Sequence, residues 1–455
     1  MIAIAVAALA LASCATGSPP ASESGVSAAL PASGSGGSTP ISHIVIIVQE
    51  NRSFDDFFST FPNADGTTQG LMKTSSGDQY VPLKEVDLNE SCDFRHSYNQ
   101  YTRDLDGGKM DGFNLEGGSG KCPGRALAPY QYVNPSEIAP YWDMAKQYVL
   151  ADHLFQTQGS GSFTGHQDLI RGDTVINKNQ TKSLVNIPTG APWGCDAPHG
   201  TRTSLIVDVG SQVEFKKNKG PFPCLTYETL RDLLDAKYVS WKYYSPPVQG
   251  GPGAIWNAFD AIKAVRYGPE WGVNVTDSNT AIFSDITGGT LPNVSWVIPD
   301  RINSDHPASG SDTGPSWVAS LVNAIGESSY WQTSAIIVVW DDWGGFYDHV
   351  PPTLQDKWGG LGFRVPAIVI SPYAYGGTST DPYVSHTPYE FGSILRFVEE
   401  TFGLGSLGTT DQRATSLGNT LNFSGTPRPF SAIPSKYSRS FFEHQHPSGL
   451  PVDTE

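Results

Sequence analysis

The chain has 455 residues, of which 38% are hydrophobic, and a formal net charge of −16 at pH 7. This length is enough to bury a large core. The charge excludes nucleic-acid binding by bulk electrostatics and gives no general attraction to anionic membrane surfaces. The 48 glycines and 34 prolines indicate long structured loops around a regular scaffold. An acidic protein that handles phosphate needs positive charge locally, and a bound metal ion is the simplest source.

Residues 1–14 are a small, apolar run that ends at Cys14. This arrangement resembles the lipobox of bacterial lipoproteins, in which the cysteine is lipidated, although no Lys or Arg precedes Cys14. The run is too short for a transmembrane helix and predicts a lipoprotein signal segment. Residues 15–40, mostly Ala, Gly, Ser, Pro and Thr, predict a flexible tether. We expect an exported bacterial lipoprotein, anchored to a membrane in the periplasm or at the cell surface, with residues 41–455 as a single domain.

Four further cysteines remain, an even number in a chain expected to be exported: Cys92, Cys122, Cys195 and Cys224. They predict two disulfides, for which three pairings are possible. The pairings Cys92–Cys122 and Cys195–Cys224 are the simplest, because each bond would staple one long insertion. Zinc binding is the alternative, but the spacings contain no Cys-x-x-Cys.

Strand-like and helical segments alternate along the chain. Short apolar runs predict strands at Ile44–Val48, Tyr148–Leu150, Tyr238–Tyr244, Val294–Ile298, Ala335–Val339 and Val365–Ile370. Helical patterns lie between several of them, at Pro140–Lys146, Gln167–Arg171, Thr226–Ala236, Ser316–Ile325 and Tyr389–Phe402. This order predicts an α/β fold with a mostly parallel sheet covered on both faces. Two turn-rich stretches, 60–135 and 172–225, predict loops built over the active edge of the sheet.

Polar pairs follow two of the predicted strands. Glu50-Asn51 follows the first strand, and Asp341-Asp342 follows the strand Ala335–Val339. Two carboxylates at the end of a buried strand are costly unless something neutralises them, and that sheet edge is where ligands bind. Carboxylate and amide oxygens together predict an all-oxygen site for a hard divalent cation. The two glycines at Gly344-Gly345 would let the backbone pass close to that site. Taken singly, each pair could also be a solvated turn or a helix cap.

A glycine-rich turn precedes the helical pattern at Gln167. It contains three hydroxyl residues that qualify as a nucleophile: Ser160, Ser162 and Thr164. At a helix amino terminus, the dipole and the free N–H groups favour an alkoxide and an incoming phosphate. A plain Gly/Ser linker is the alternative interpretation.

Four histidines are candidates for binding phosphate oxygens or protonating a leaving group. His306 follows the strand Val294–Ile298, and His96 lies in the first insertion. His166 comes four residues after Ser162, and His386 follows another strand-like segment.

Two segments resemble motifs of the bacterial phosphoesterase family that includes acid phosphatases and phospholipases C: Glu50–Asp55 and Trp340–Val350. Supporting matches lie at Gly107–Phe113, Asp305–Pro307, Arg364–Pro366 and Ser371–Tyr373. The resemblance covers roughly residues 41–425, in order. It implies an alkaline-phosphatase-like α/β/α fold with one divalent metal ion, whose identity is open, and a Ser or Thr nucleophile.

By position, the resemblance implies metal ligands at Glu50, Asn51, Asp341 and Asp342, and a nucleophile at Ser162 with Thr164 as the fallback. The loop around Ser162 and His166 resembles the acid-phosphatase branch. The phospholipase branch typically has Gly-Pro-Thr, one variable residue and Pro-Asn-Arg there. That branch also often has Glu where this chain has Asp342, which leaves the coordination geometry open.

The first hypothesis is therefore metal-dependent hydrolysis of phosphate esters through a phosphoserine at Ser162. His306 and His96 would contact the phosphate or the leaving group, with His166 and His386 as weaker candidates. Phosphomonoesters are favoured as substrates, and cleavage of phospholipid diesters by a phospholipase C is the alternative. A surface lipoprotein that binds a ligand without catalysis is a further alternative.

Overall fold

The computed structural model describes residues 39–90, 92–115, 126–210, 212–248, 254–353, 357–358 and 360–450. The predicted signal segment, almost all of the tether, and Cys122 with its pairing lie outside these residues. Residues 36–455 group into one compact unit. No described helix combines the length and apolar character that crossing a membrane requires.

The described strands are, in chain order, β1 (His43–Gln49), β2 (Gln69–Met72), β3 (Gln79–Pro82), β4 (Lys84–Val86), β5 (Gln131–Val133), β6 (Val149–Ala151), β7 (Leu154–Phe155), β8 (Lys182–Val185), β9 (Ser204–Asp208), β10 (Val213–Lys216), β11 (Trp241–Tyr244), β12 (Val275–Thr276), β13 (Val294–Val297), β14 (Ser334–Trp340), β15 (Ala367–Ile370), β16 (Val384–Ser385) and β17 (Tyr389–Glu390). The described α-helices are α1 (Phe54–Phe58), α2 (Tyr98–Leu105), α3 (Ala139–Gln147), α4 (Ser162–Arg171), α5 (Leu230–Ala236), α6 (Lys263–Arg266), α7 (Ala281–Gly288), α8 (Gly314–Gly326), α9 (Phe391–Phe402) and α10 (Arg439–Glu443).

Eight strands form the central sheet in the order β12-β11-β13-β1-β14-β15-β6-β16. All neighbours in it pair in parallel except β15, which runs antiparallel to β14 and β6. The middle strands β1 and β14 are almost completely buried, as their continuous apolar sequences require. Helices α3, α7, α8 and α10 contact one another as one group, and α4, α5 and α9 as another. The predicted α/β fold with a mostly parallel sheet and long insertions is confirmed.

All six predicted strands are present, with bounds that move by a few residues. The prediction was wrong at Tyr238, which is 96% exposed with a φ of 56° in the turn after α5. It was also wrong at the start of α5, which begins at Leu230 rather than Thr226. The short edge strands β12 and β16 were missed, because two residues give too little periodicity to recognise.

The two long insertions contain more regular structure than the predicted loops. The first includes the antiparallel pair β2–β3, the parallel pair β4–β5 and helix α2. The second is built around the antiparallel sheet β10-β9-β8. The predicted bond between Cys195 and Cys224 is confirmed and closes the end of this second insertion.

Arg364 fixes the chain segment that leaves β14. It is completely buried, and its Nε donates to Asp348 Oδ1 at 2.8 Å while one terminal nitrogen donates to Asp55 Oδ1 at 3.3 Å. The other terminal nitrogen donates to the backbone oxygen of Asp152 at 2.9 Å. One guanidinium thus joins the segment after β14 to helix α1 and to the end of β6. Removing one partner from such a buried pair leaves an uncompensated charge.

His349 extends this cluster towards solvent. Its Nδ1 donates to Asp55 Oδ2 at 2.7 Å and its Nε2 lies 3.2 Å from Asp65 Oδ1. Burial lowers the pKa of His349, and the positive charge of Arg364 lowers it further. The hydrogen bond to Asp55 and the negative charges of Asp55 and Asp348 outweigh both effects, so the pKa of His349 is raised to about 9. Burial also raises the pKa of Asp55. We treat Asp55 as ionised at neutral pH, because Arg364 and His349 both donate to its carboxylate.

The raised pKa of His349 makes stability depend on pH. Because about 9 exceeds the ordinary 6.5, the stabilisation is complete below pH 6.5 and is lost as the pH rises through 9. Between pH 6 and pH 9 we expect the free energy of unfolding to fall by about 2–3 kcal/mol more in the wild type than in His349→Gln. Urea unfolding at both pH values measures this. The exposed His444→Gln variant is the control and should follow the wild type; an equal fall in His349→Gln would contradict the assignment.

Candidate active site

The site begins where β1 and β14 end side by side. Gln49 pairs with Trp340 in parallel register, so the next residues, Glu50 and Asp341, leave the sheet together. The Asp341 N–H donates to the Gln49 carbonyl at 3.0 Å, and the Asn51 N–H donates to Asp341 Oδ1 at 3.1 Å. The predicted meeting of the two polar pairs at one sheet edge is therefore present.

The paired glycines after Asp342 close the turn tightly. Gly344 has a φ of +63°, and a Cβ there would lie 2.3 Å from the Asn51 carbonyl oxygen. Gly345 has a φ of +77°, and a Cβ there would lie 2.4 Å from the Phe94 Cβ. Only glycine fits both the conformation and the space. The turn thereby lets the first insertion, which carries Phe94 and His96, pack against the strand ends.

Ser162 is the first residue of α4 and is buried. Its Oγ donates to Asp342 Oδ2 at 3.2 Å. The helix can approach this closely because residue 165 is glycine, where a Cβ would lie 2.7 Å from the Asp341 carbonyl oxygen. A hydroxyl at a helix amino terminus thus points at the end of β14.

The other two hydroxyls of the loop have backbone partners. Thr164 Oγ1 donates to the Gly161 carbonyl at 3.0 Å, and Ser160 Oγ accepts from the Asn186 N–H at 2.8 Å. Of the three candidate hydroxyls, Ser162 is the one whose described hydrogen bond is to a carboxylate at a strand end.

His166 lies one helical turn after Ser162, and the i, i+4 spacing puts both on one face of α4. Its Nε2 donates to Glu50 Oε1 at 2.8 Å and lies 3.8 Å from Asp341 Oδ2. Burial lowers the pKa of His166 to about 4, so the imidazole is neutral near pH 7. Glu50, His166 and Asp341 each place one ligand atom within 4.8 Å of the others. A nitrogen donor therefore stands beside the oxygens that the sequence suggested.

His96 reaches the site from the first insertion and is buried. Its Nδ1 donates to the Phe94 carbonyl at 2.8 Å, and its Nε2 accepts from Asn51 Nδ2 at 2.7 Å. The same Nε2 lies 3.5 Å from Asp342 Oδ2. Of the predicted histidines, His96 and His166 thus contact the strand-end pairs directly.

His306 lies on a loop that is fixed to the end of β1. The Glu50 N–H donates to the Ser304 carbonyl at 2.8 Å, and Tyr141 Oη donates to Asp305 Oδ2 at 2.6 Å. His306 is buried, and its Nδ1 bonds the carbonyl of the following residue at 2.7 Å. That bond occupies Nδ1 and makes Nε2 the ring nitrogen that is a candidate for contact with a substrate.

His386 lies elsewhere. It follows β16, the outermost strand of the sheet, and its side chain is 58% exposed. Its Nδ1 donates to Asp152 Oδ2 at 2.8 Å, and His153 bonds the other oxygen of the same carboxylate. The structure does not bring His386 together with the residues around Ser162, so it takes no part in the mechanism below.

The side-chain oxygens at the strand ends fit a cation. Three of the four predicted ligands each have a buried oxygen that accepts no hydrogen bond within the described residues: Glu50 Oε2, Asn51 Oδ1 and Asp341 Oδ2. Burial raises the pKa of Glu50 well above its usual range, and burial with the charge of Glu50 raises the pKa of Asp341 to about 8. Such carboxylates resist ionisation until a positive charge joins them. These residues are therefore suited to a divalent metal ion.

Asp342 is placed differently from the other three predicted ligands. Its Oδ1 accepts from the Gly344 N–H at 2.8 Å, and its Oδ2 accepts from Ser162 Oγ. Its carboxylate lies between the hydroxyl and His96, while direct coordination by Asp342 stays a prediction.

Gln156 is a site residue that the sequence did not indicate. Its Nε2 donates to the Ser160 carbonyl at 2.9 Å and to the Asp341 carbonyl at 3.3 Å, which joins the Ser162 loop to β14. No sequence pattern marks such a role, because it depends on a contact between segments that are 185 residues apart.

The chain is similar to known proteins over most of its length. The model of the Phosphoesterase family matches residues 41–405. Phospholipase C B of Mycobacterium tuberculosis is 27% identical over 450 residues, which cover 86% of this chain and 79% of that protein. A non-hemolytic phospholipase C of Pseudomonas aeruginosa is 24% identical over 417 residues, which cover 80% of this chain and 54% of that protein.

Similar solved structures include a protein in the alkaline phosphatase superfamily from Vibrio parahaemolyticus. It is 11% identical to this chain, the match covers 84% of this chain and 72% of that protein, and the TM-score is 0.35.

Substituting Asp341 tests the metal site directly. In Asp341→Asn we expect the affinity for Mg²⁺, Mn²⁺ or Zn²⁺ to fall by more than about a hundredfold. Loss of a residue that only hydrogen-bonds to a ligand costs about ten- to a hundredfold, and loss of the ligand itself should cost more. Isothermal titration with each ion, together with metal analysis of the purified protein, measures it. The exposed Asp381→Asn variant removes the same charge and should bind as the wild type does. Unchanged metal content in Asp341→Asn would remove this residue from the ligand set.

Proposed function

This chain belongs to the phosphoesterase family and is a hydrolase of phosphate esters, and we propose that Ser162 is the nucleophile of the reaction. The observation that carries this proposal is the bond from Ser162 Oγ to Asp342 Oδ2, 3.2 Å long, at the amino terminus of α4. The family membership makes a hydrolase a better account of the buried acidic cluster than a surface lipoprotein that only binds a ligand.

Ser162 would attack phosphorus in line and form a phosphoserine as the ester oxygen leaves. Asp342 Oδ2 is the acceptor positioned to orient the hydroxyl and receive its proton. The partial positive charge at the amino terminus of α4 favours both the developing alkoxide and the incoming phosphate. Water would then hydrolyse the phosphoserine and restore the hydroxyl.

Glu50, Asn51, Asp341 and Asp342 would hold one divalent metal ion, with the His166 imidazole as a further donor. When bound, such an ion acts as a Lewis acid on a phosphate oxygen and lowers the pKa of a nearby hydroxyl. The three oxygens without hydrogen bonds support this role. Coordination through Nε2 would replace the 2.8 Å hydrogen bond that this nitrogen donates to Glu50 Oε1.

His96 and His306 are the residues that would contact phosphate oxygens or protonate the leaving group. In each ring, Nδ1 is bonded to a backbone carbonyl, so Nε2 is the nitrogen that would contact the substrate. A protonated Nε2 can donate to a phosphate oxygen or pass its proton to the departing oxygen, and in His96 this protonation would replace the bond accepted from Asn51 Nδ2. His96 is linked to the nucleophile through Asp342, whose Oδ2 lies 3.5 Å from His96 Nε2.

We propose phosphomonoesters as the preferred substrates, because the Ser162 loop resembles the acid-phosphatase branch. Phospholipase C activity on phosphodiesters is the second candidate, and it is supported by the two relatives described above, both phospholipases C. We also propose that the chain is exported and held at a membrane through a lipidated Cys14.

Replacing Ser162 separates it from the fallback nucleophile. We expect Ser162→Ala to lose at least about a thousandfold in kcat, as loss of a nucleophile does in other hydrolases. Thr164→Ala should keep most of its activity, because the Thr164 hydroxyl bonds the Gly161 carbonyl instead of a site carboxylate. Mass spectrometry of wild type quenched during turnover of a slow substrate should locate phosphate on Ser162. A fully active Ser162→Ala variant, or phosphate on Thr164, would overturn the assignment.

A two-substrate panel decides the substrate class. We expect kcat/KM for p-nitrophenyl phosphate to exceed that for phosphatidylcholine, measured with the metal-loaded protein across a pH series. The Ser162→Ala variant is the background control for both substrates. A preference for phosphatidylcholine would replace the monoesterase proposal with the phospholipase C alternative, while leaving the nucleophile unchanged.

A further inference from the structure

The second insertion builds a positively charged cavity in this acidic protein. The cavity has a volume of about 860 Å³ and is lined by one aspartate, Asp173, and by five cationic residues: Arg171, Lys178, Lys182, Arg202 and Lys219. Residues 171–225 contain seven Lys and Arg against four Asp and Glu, whereas the whole chain carries a net charge of −16. We call this feature the basic cavity.

The cations of the basic cavity are poorly neutralised. Arg171 pairs with Asp173 at 2.7 Å. Lys178, Lys182, Arg202 and Lys219 are exposed, and none of these four is in an ion pair within the described part of the chain. Acidic residues are plentiful in this protein, so pairing would be easy to achieve. Like charges that remain unpaired around one concavity focus a positive potential inside it.

Arg171 forms part of the cavity wall. Its guanidinium lies 4.4 Å from the centre of the Tyr227 ring, which fixes its plane by a cation–π contact. Its Nε is buried and donates no hydrogen bond among the described residues. A held guanidinium with a donor left over is a suitable partner for a phosphate oxygen.

The basic cavity is separate from the catalytic residues. Arg171 is the last residue of α4 and Ser162 is the first, and ten residues of helix span about 15 Å. None of the proposed metal ligands or catalytic histidines lines the cavity. An anion held there would leave the nucleophile accessible.

We propose that the basic cavity is a second anion site, which binds a multiply charged phosphate-bearing ligand. Several cations around one cavity match several negative charges better than a single monovalent anion. The volume exceeds that of one phosphate group and leaves room for a larger molecule. Either a soluble phosphorylated molecule or the head groups of anionic lipids would supply this chemistry, and the experiment separates these sources.

Lysine footprinting of the full chain tests occupancy at the residues themselves. The protein is acylated with an amine-reactive reagent alone, with methylenebisphosphonate, with phosphatidylglycerol vesicles, or with phosphatidylcholine vesicles. Mass spectrometry then compares Lys178, Lys182 and Lys219 with exposed lysines elsewhere: Lys84, Lys237 and Lys263. Methylenebisphosphonate resists hydrolysis, so turnover does not consume the probe.

We expect the cavity lysines to be protected and the distant lysines to react as before. Protection by methylenebisphosphonate identifies a soluble phosphate ligand, and protection by phosphatidylglycerol but not phosphatidylcholine vesicles identifies anionic head groups. Equal protection of both lysine sets, or none, would overturn the proposal.

Matched charge variants provide the second test. We measure Kd for the probe that protects the cavity lysines. In the triple variant Lys178→Gln/Lys182→Gln/Lys219→Gln we expect this Kd to rise about tenfold, which is the loss expected for three exposed charge pairs. Lys84→Gln/Lys237→Gln/Lys263→Gln removes the same net charge and should bind as the wild type does. Both variants keep the catalytic site, so probe bound there cancels in the comparison, and thermal unfolding confirms that both are folded. An equal change in both variants would reduce the effect to bulk electrostatics and overturn the site.

Discussion

The main physical constraint on this structure is the crowding of buried carboxylates at the ends of β1 and β14, which the surrounding groups must compensate. Parallel pairing brings Glu50 and Asp341 out of the sheet together, and Asp342 follows where no water reaches it. Three negative charges in a buried space cannot coexist without compensation. Backbone N–H groups, the Ser162 hydroxyl and the His166 imidazole supply part of it. The cation proposed here would supply the rest, and its ligands are brought together by the register of two strands.

The sequence predicted the parts of the site that depend on local pattern. Glu50-Asn51 and Asp341-Asp342 were recognisable because apolar strands precede them, and parallel strands end at one sheet edge. Ser162 was recognisable from its place before a helix. His166 was undervalued, although its spacing of four residues from Ser162 already put both on one helical face. Its contact with Glu50 adds a nitrogen to the expected all-oxygen cluster.

Other placements depend on distant contacts, which a single sequence does not reveal. His96 reaches Asn51 because Phe94 packs against Gly345, across two segments far apart in the chain. His386 resembled the other histidines in following a strand, but that strand is the outermost in the sheet. Gln156 and the Arg364 cluster also join distant segments, and the two cations Arg364 and His349 meet the carboxylates of Asp55 and Asp348 only after folding.

The position of β1 also governs how the protein can be made. The first described strand, β1, lies in the middle of the sheet, and its two neighbours are β13 at Val294–Val297 and β14 at Ser334–Trp340. A growing chain therefore cannot close its core until about three quarters of it has been synthesised. Contacts of such long sequence separation form slowly, because loop closure precedes any gain in stability. The nascent protein would therefore stay open for most of its synthesis, which is the state that the proposed export through a channel for unfolded chains would require.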